Sequence, residues 1–135
     1  MAIITAKDWQ YDRWPNFTPD EFKCSHTGRM FMDDRHLDRL QELRNRLRRP
    51  LIVNSGYRHE THPVEAVKKS PGVHNLGLAT DISCSGEFAF DLAREAFIIG
   101  FTGIGFQQKT SVLHRNRFIH LDSWTEPPRP NLWTY

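Results

Sequence analysis

Apolar positions recur along this chain with two periods, and the period changes at its prolines and glycines. Leucines at 37, 40, 43 and 47 fall three or four residues apart in "DDRHLDRLQELRNRLRRP". That spacing predicts one buried stripe on a helix stopped by Pro50. "GEFAFDLAREAFIIG" (86–100) repeats it at 88, 92, 96 and 99, a second amphipathic helix closed by Gly100. "FTPDEF" (17–22) carries a helix start, with Thr18 as N-cap, Pro19 at the first position and two acids in the first turn. "LIVNS" (51–55) reads as a short buried strand and "GYRHETHP" as the loop leaving it, with a brief helix in 63–70 before the Ser-Pro-Gly break at 70–72. "LATDIS" (78–83), "TGIGF" (102–106) and "RFIHLDSW" (117–124) read as further strands. The proline-rich tail, 124–135, is expected to lie extended on the surface, with Trp133 and Tyr135 able to dock on the body. Helices mixed with short strands predict an α+β class, a small antiparallel sheet flanked by helices.

Composition changes this picture little. At 135 residues the chain has room for one domain, residues 1–135, and not for two comfortable ones. A formal charge of +2 does not argue for nucleic acid, and its densest run, "RNRLRRP" (44–50), suits the C-terminal end of a helix dipole. No stretch approaches the length of a membrane span. "MAIITAKDWQ" lacks the basic start and apolar run of a signal peptide, so synthesis without a Sec-type leader is expected. Cys24 and Cys84 have no CxxC spacing; they read as buried small hydrophobes, with a single bridge left open.

The chemistry concentrates in a few residues. Of the seven histidines, His36 is expected on the polar side of the leucine stripe, and His26, His59, His62 and His114 in loops as surface residues. His74, Asp81 and His120 differ in setting. Gly72, Gly77 and Ala79 surround His74 and Asp81 and permit close backbone approach. Asp81 interrupts an apolar strand, where a carboxylate is costly unless paired or bound to a cation. His120 interrupts "FIHLD" in the same way. Two imidazoles and a carboxylate from separate elements are a usual set for catalytic zinc, which keeps its fourth position for water. Spacing alone supports equally a turn-capping Asp and a His satisfied by a carbonyl. Asp122, two residues after His120, shares its face in a strand. It can orient that imidazole, act as a base toward a metal-held water, or simply end the strand. Arg58 follows a Ser-Gly turn, where a guanidinium can fork onto a carboxylate or a developing oxyanion.

Taken together, "FTPDEFKCSHTG", "VNSGYR", "GVHNLGLATDI", "GFTGIGF", "RFIHLDSW" and "RPNLWTY" resemble the M15 family of zinc D,D-carboxypeptidases and endopeptidases. The likeness is nearest to a short, single-domain branch frequent in phage genomes. It implies a hedgehog/D,D-peptidase-like fold and one zinc ion on His74, Asp81 and His120. It also implies hydrolysis of stem peptides of bacterial peptidoglycan, with Arg58 stabilising the transition state and Ser55 and Tyr57 beside it at the substrate. A monomer is expected, made in the bacterial cytoplasm and acting at the cell wall in phage lysis or from a virion.

Two departures stand out. The family segment commonly reads S-x-H-x-x-G-x-A-x-D, and here Gly72 holds the serine's place. Many members carry a Glu, Asp or His as base two or three residues before the last ligand, where this chain has Arg117 and Phe118. Asp122 is the replacement expected, to take the water's proton and pass it to the leaving amine; an alternative registration makes His120 the base and Asp122 the ligand. These departures keep two other readings open. One is a binding module for peptidoglycan or a partner on the same fold, and the other is a structural domain in which Asp81 and His120 satisfy each other.

Overall fold

The leucine stripe forms helix α1 over Asp34–Leu47. Asp33 caps it by accepting from the amides of Arg35 and His36, and Arg48 ends it in the left-handed conformation. Leu37, Leu40 and Leu43 are fully buried, each contributing about 1.5–3 kcal/mol of transfer free energy. His36 is buried with them, which corrects the expectation of a polar-side histidine. It stands four residues before Leu40, so the stripe that buries Leu40 buries His36 too.

A computed structural model of the protein describes residues 2–70, 72–109 and 117–135, so the expected loop position of His114 lies outside the described residues. In chain order the remaining elements are β1 (Ile3–Ile4), β2 (Met32–Asp33), β3 (Ile52–Ser55), the short α2 (Pro63–Ala66), β4 (Ala79–Ser83), α3 (Gly86–Ile99), β5 (Gly103–Gln107), β6 (Phe118–Asp122) and β7 (Asn131–Thr134). Single 3-10 turns cover Ala6–Asp8 and Pro19–Phe22. The α+β expectation holds. β1 and β2 form a two-stranded antiparallel sheet, and the others form a five-stranded sheet ordered β3-β4-β6-β5-β7. That larger sheet is mixed, because β7 runs parallel to β5. The tail thus lies extended, as expected, but as an edge strand.

The helical start at "FTPDEF" yields one 3-10 turn rather than a longer helix; Thr18 and Glu21 form its capping box and Phe22 is buried. "LIVNS" was expected to be buried, yet β3 is an edge strand with Ile52 63% exposed. Its hydrogen bonds run to β4 alone; Leu51, just before it, is buried in the core, and Val53 packs against the core partly buried.

Strand alternation divides the sheet into two faces. Ile82, Ile104, Ile119 and Leu121 join α1 and α3 in the apolar core on one face. On the other face the register aligns one residue from each strand. Ser55 opposes Asp81, Asp81 opposes His120, His120 opposes Gly105, and Gly105 opposes Trp133. A second rung holds Ala79, Asp122, Gly103 and Asn131. No described helix is long and apolar enough to cross a membrane.

Candidate metal centre

Asp81 and His120 face each other because β4 and β6 pair in this register. His74 arrives from the turn before β4. That turn is closed by the amides of Asn75 and Leu76 donating to the Gly72 carbonyl, and by the Leu78 amide donating to Val73. Gly77 has φ +72°, and a Cβ there would collide with the Phe31 carbonyl, so only glycine suits this turn. Gly56 lies against the Phe22 backbone, where a Cβ would come within 2.7 Å of its Cα. The Gly56 carbonyl accepts a 2.8 Å hydrogen bond from Nδ1 of His74.

That bond fixes the His74 tautomer and leaves Nε2 free, 3.4 Å from Oδ1 of Asp81. Nε2 of His120 donates to Oδ2 of Asp122 at 2.8 Å, which turns its Nδ1 toward Oδ1 of Asp81 at 2.9 Å. The three candidate ligand atoms lie within 4.8 Å of one another, and all three residues are buried. A tetrahedral zinc at about 2.0–2.1 Å from each ligand separates its ligand atoms by about 3.3 Å. The donor set and its spacing therefore fit a zinc ion, with two imidazole nitrogens and one carboxylate oxygen converging. Among the described residues this is the one His/Cys/Asp/Glu group so arranged.

The electrostatics of the metal-free centre match this role. Burial would raise the pKa of Asp81, but the hydrogen bond from His120 and the nearness of the two imidazoles outweigh it and hold the carboxyl well below its ordinary range. Burial would lower that of His120, yet the bonds to Asp122 and Asp81 raise it above an ordinary histidine. A carboxylate on each nitrogen favours a cation at this point, and a metal ion bound there would take the place of a proton on the side facing Asp81.

Asp122 is fully buried. Its oxygens accept from Nε2 of His120 and from Nε and Nη2 of Arg129 at 3.0 and 2.7 Å, with the Trp124 amide at 3.3 Å. Burial would raise its pKa, but these hydrogen bonds bring it down to about 2. It stands behind the His120 ring, on the nitrogen that faces away from Asp81, and outside the group of converging ligand atoms. The structure thus brings Asp122 to His120 as the orienting partner. A position as base on the open side of the centre, or as a ligand in place of His120, is not the one it occupies.

Arg58 also comes to the centre. Its Nη2 is 3.4 Å from Oδ2 of Asp81, its amide donates to the His74 carbonyl, and its carbonyl accepts from Asn75. Ser55 sits half-buried opposite Asp81. Tyr57 is buried and packs edge-on against Phe31 at 5.3 Å. The missing serine has a structural counterpart. A Cβ on Gly72 would come within 2.6 Å of Lys68 Nζ and 3.1 Å of Glu65 Oε1. Glu65, itself buried, pairs with Lys68 at 2.9 Å and accepts from the Gly72 amide. An ion pair fills the space a serine side chain would use.

The sequence reading missed Arg129 and gave Trp133 only a docking role. Trp133 packs against His120 with ring centroids 5.2 Å apart, and Arg129 lies over the Trp133 ring at 5.1 Å. A signal was present in "TGIGF", whose two glycines bare the sheet surface that Asp122 and Trp133 cover. The cysteines are free and buried, and burial pushes the Cys84 thiol up to about 11.

A family model described as peptidase M15 matches residues 15–122. A search of the curated proteins returns no match.

Proposed function

This chain belongs to the peptidase M15 family, and on that premise we propose that it is a zinc-dependent hydrolase of peptide bonds in peptidoglycan stem peptides. The observation that carries the proposal is the convergence of His74 Nε2, Asp81 Oδ1 and His120 Nδ1 beside the guanidinium of Arg58.

A zinc ion held there supplies a Lewis acid for the scissile carbonyl and acidifies water toward a pKa of about 7. His74 and His120 present neutral nitrogens because Gly56 and Asp122 engage their opposite sides. Arg58, pinned by backbone bonds to His74 and Asn75, offers N–H donors to charge developing on the substrate oxygen. Its contact with Asp81 at 3.4 Å is long enough to yield to a better acceptor. Asp122 holds the His120 ring and stays ionised through Arg129, so it serves as an orienting group and not as the proton acceptor.

Digestion of muropeptides by the purified, zinc-loaded protein, read by mass spectrometry, tests the reading. New amino termini or released D-alanine, abolished by EDTA, are expected, and the masses identify the bond. Arg58→Ala should lower the rate about 10²–10³-fold while zinc content holds. The Lys68–Glu65 pair in the place of a serine favours a second reading, a peptidoglycan-binding module. Retention on sacculi with no cleavage would establish that module and end the hydrolase proposal.

A further inference from the structure

We propose that Arg129 and Trp133, both beyond the family-matched span, position the imidazole of His120 for the metal. The inference rests on the reading of His120 as a metal ligand and adds two residues to it.

The register makes the case. His120 and Trp133 flank Gly105 on one rung of the sheet. Gly105 leaves the middle of the rung empty, and the indole fills it, coming within 2.5 Å of where a Cβ would stand. One rung over, the Asp122 carboxylate lies across Gly103 in the same manner. The two glycines of "TGIGF" thus form a trough that holds a carboxylate and an indole against one histidine. The ring of His120 packs between His74, 5.1 Å away, and Trp133, 5.2 Å away. That packing fixes its plane, and Asp122 fixes which nitrogen faces Asp81.

Arg129 secures Asp122. A buried carboxylate with one imidazole and one amide as partners is poorly satisfied, and the two-pronged contact from Arg129 completes its shell. Arg129 in turn lies over Trp133, so the segment entering β7 holds both supports of the ligand at once. The chain passes from residue 122, where the family match ends, back along β5. Its last twelve residues thereby build the outer support of the centre.

Calorimetric zinc titration of the metal-free, full-length protein tests this. Arg129→Ala should weaken zinc binding about 10–100-fold, the usual effect of removing an outer partner of a ligand. Arg129→Lys should recover part of the loss, because a point charge replaces the fork incompletely. Trp133→Leu should weaken binding several-fold. The visible spectrum of the cobalt-loaded Arg129→Ala protein should shift from wild type, since ligand geometry sets it. Leu132→Ala is the control. Leu132 lies on the same strand but on the opposite face, beside Ile104 and lining a groove with Phe97, so its loss should lower the melting temperature slightly and leave zinc affinity unchanged. Zinc affinity of Arg129→Ala equal to wild type would overturn the inference. So would an equal loss in Leu132→Ala, which would reduce the tail to an anchor for the sheet. Should Arg129→Ala not fold, wild-type affinity in Arg129→Lys would overturn it alone. A wild-type protein that takes up no zinc would overturn the metal reading as well, which separates the two failures.

Discussion

Two buried histidines stand back to back across the β4–β6 pair, and they are opposites. On the open face, both nitrogens of His120 meet carboxylates, Asp81 and Asp122. On the helix face, both nitrogens of His36 meet hydroxyls, Ser123 at 2.7 Å and Thr80 at 2.9 Å. The partners are neighbours in sequence, since Thr80 precedes Asp81 and Ser123 follows Asp122. Strand alternation sends one pair to each side. Hydroxyls donate or accept as the ring requires, so His36 stays neutral and burial drives its pKa down to about 3. Carboxylates only accept, so they favour a cation in their midst, whether the charged His120 ring or a metal. Burial alone therefore does not mark a site; the chemistry of the two partners does.

Removing the shared carboxylate breaks the charged side of the comparison and carries the largest expected effect. Asp81→Ala takes away the one oxygen that both His74 and His120 face. The variant is expected to lose stoichiometric zinc by elemental analysis, and with it all peptidase activity. Full zinc retention in that variant would remove Asp81 from the ligand set and with it the proposed centre.

Breaking the neutral side should cost stability instead. His36→Ala leaves the Thr80 and Ser123 hydroxyls without their ring and opens a cavity beneath α1. A destabilisation of roughly 2–4 kcal/mol is expected, read as a lower urea midpoint, with wild-type zinc affinity in whatever fraction is folded. A variant that lost zinc with little change in stability would show that the two sides act as one network.

Much of this was legible in the sequence, and the misses share a cause. Periodicity located α1, α3, β4, β5 and β6, because each carries several apolar residues at one spacing. Asp81 and His120 were legible as polar interruptions of apolar strands. His36 was not, because one polar residue beside a leucine stripe looks the same whether it faces water or a pair of hydroxyls supplied 44 and 87 residues later. Arg129 was hidden for a like reason. Its partner, Asp122, is in plain view, but only the pairing of β7 with β5 brings the two together. The two-residue strands β1 and β2 lie below the length at which alternation can be read. Site residues on paired strands were thus readable one by one, and their assignment to ligand, orienting partner or support required the register.

Acid sharpens the comparison most finely, because the two rings answer it differently. The His36 pKa is about 3 in the folded protein against about 6.5 unfolded. Below about pH 6.5 the unfolded chain binds a proton there that the folded protein does not. Stability then falls as pH falls, by up to about 1.4 kcal/mol per pH unit for one proton. His120, raised above its ordinary value by its carboxylates, has the opposite sign: the folded protein holds its proton more firmly than the unfolded chain, so near pH 6.5 it opposes the decline instead of adding to it. Asp81 and Asp122, held low, begin to contribute only as the unfolded carboxyls titrate near about pH 4. Urea midpoints of the metal-free protein should therefore decline as pH falls from about 6 to about 5, where the unfolded His36 ring is charged and the carboxyls are not yet titrating. In His36→Gln, whose amide does not titrate, the decline should be clearly shallower, leaving only the contribution of His62, which burial also lowers. An equal decline in that variant would place the acid-sensitive group elsewhere and return His36 to the role of an ordinary packed side chain.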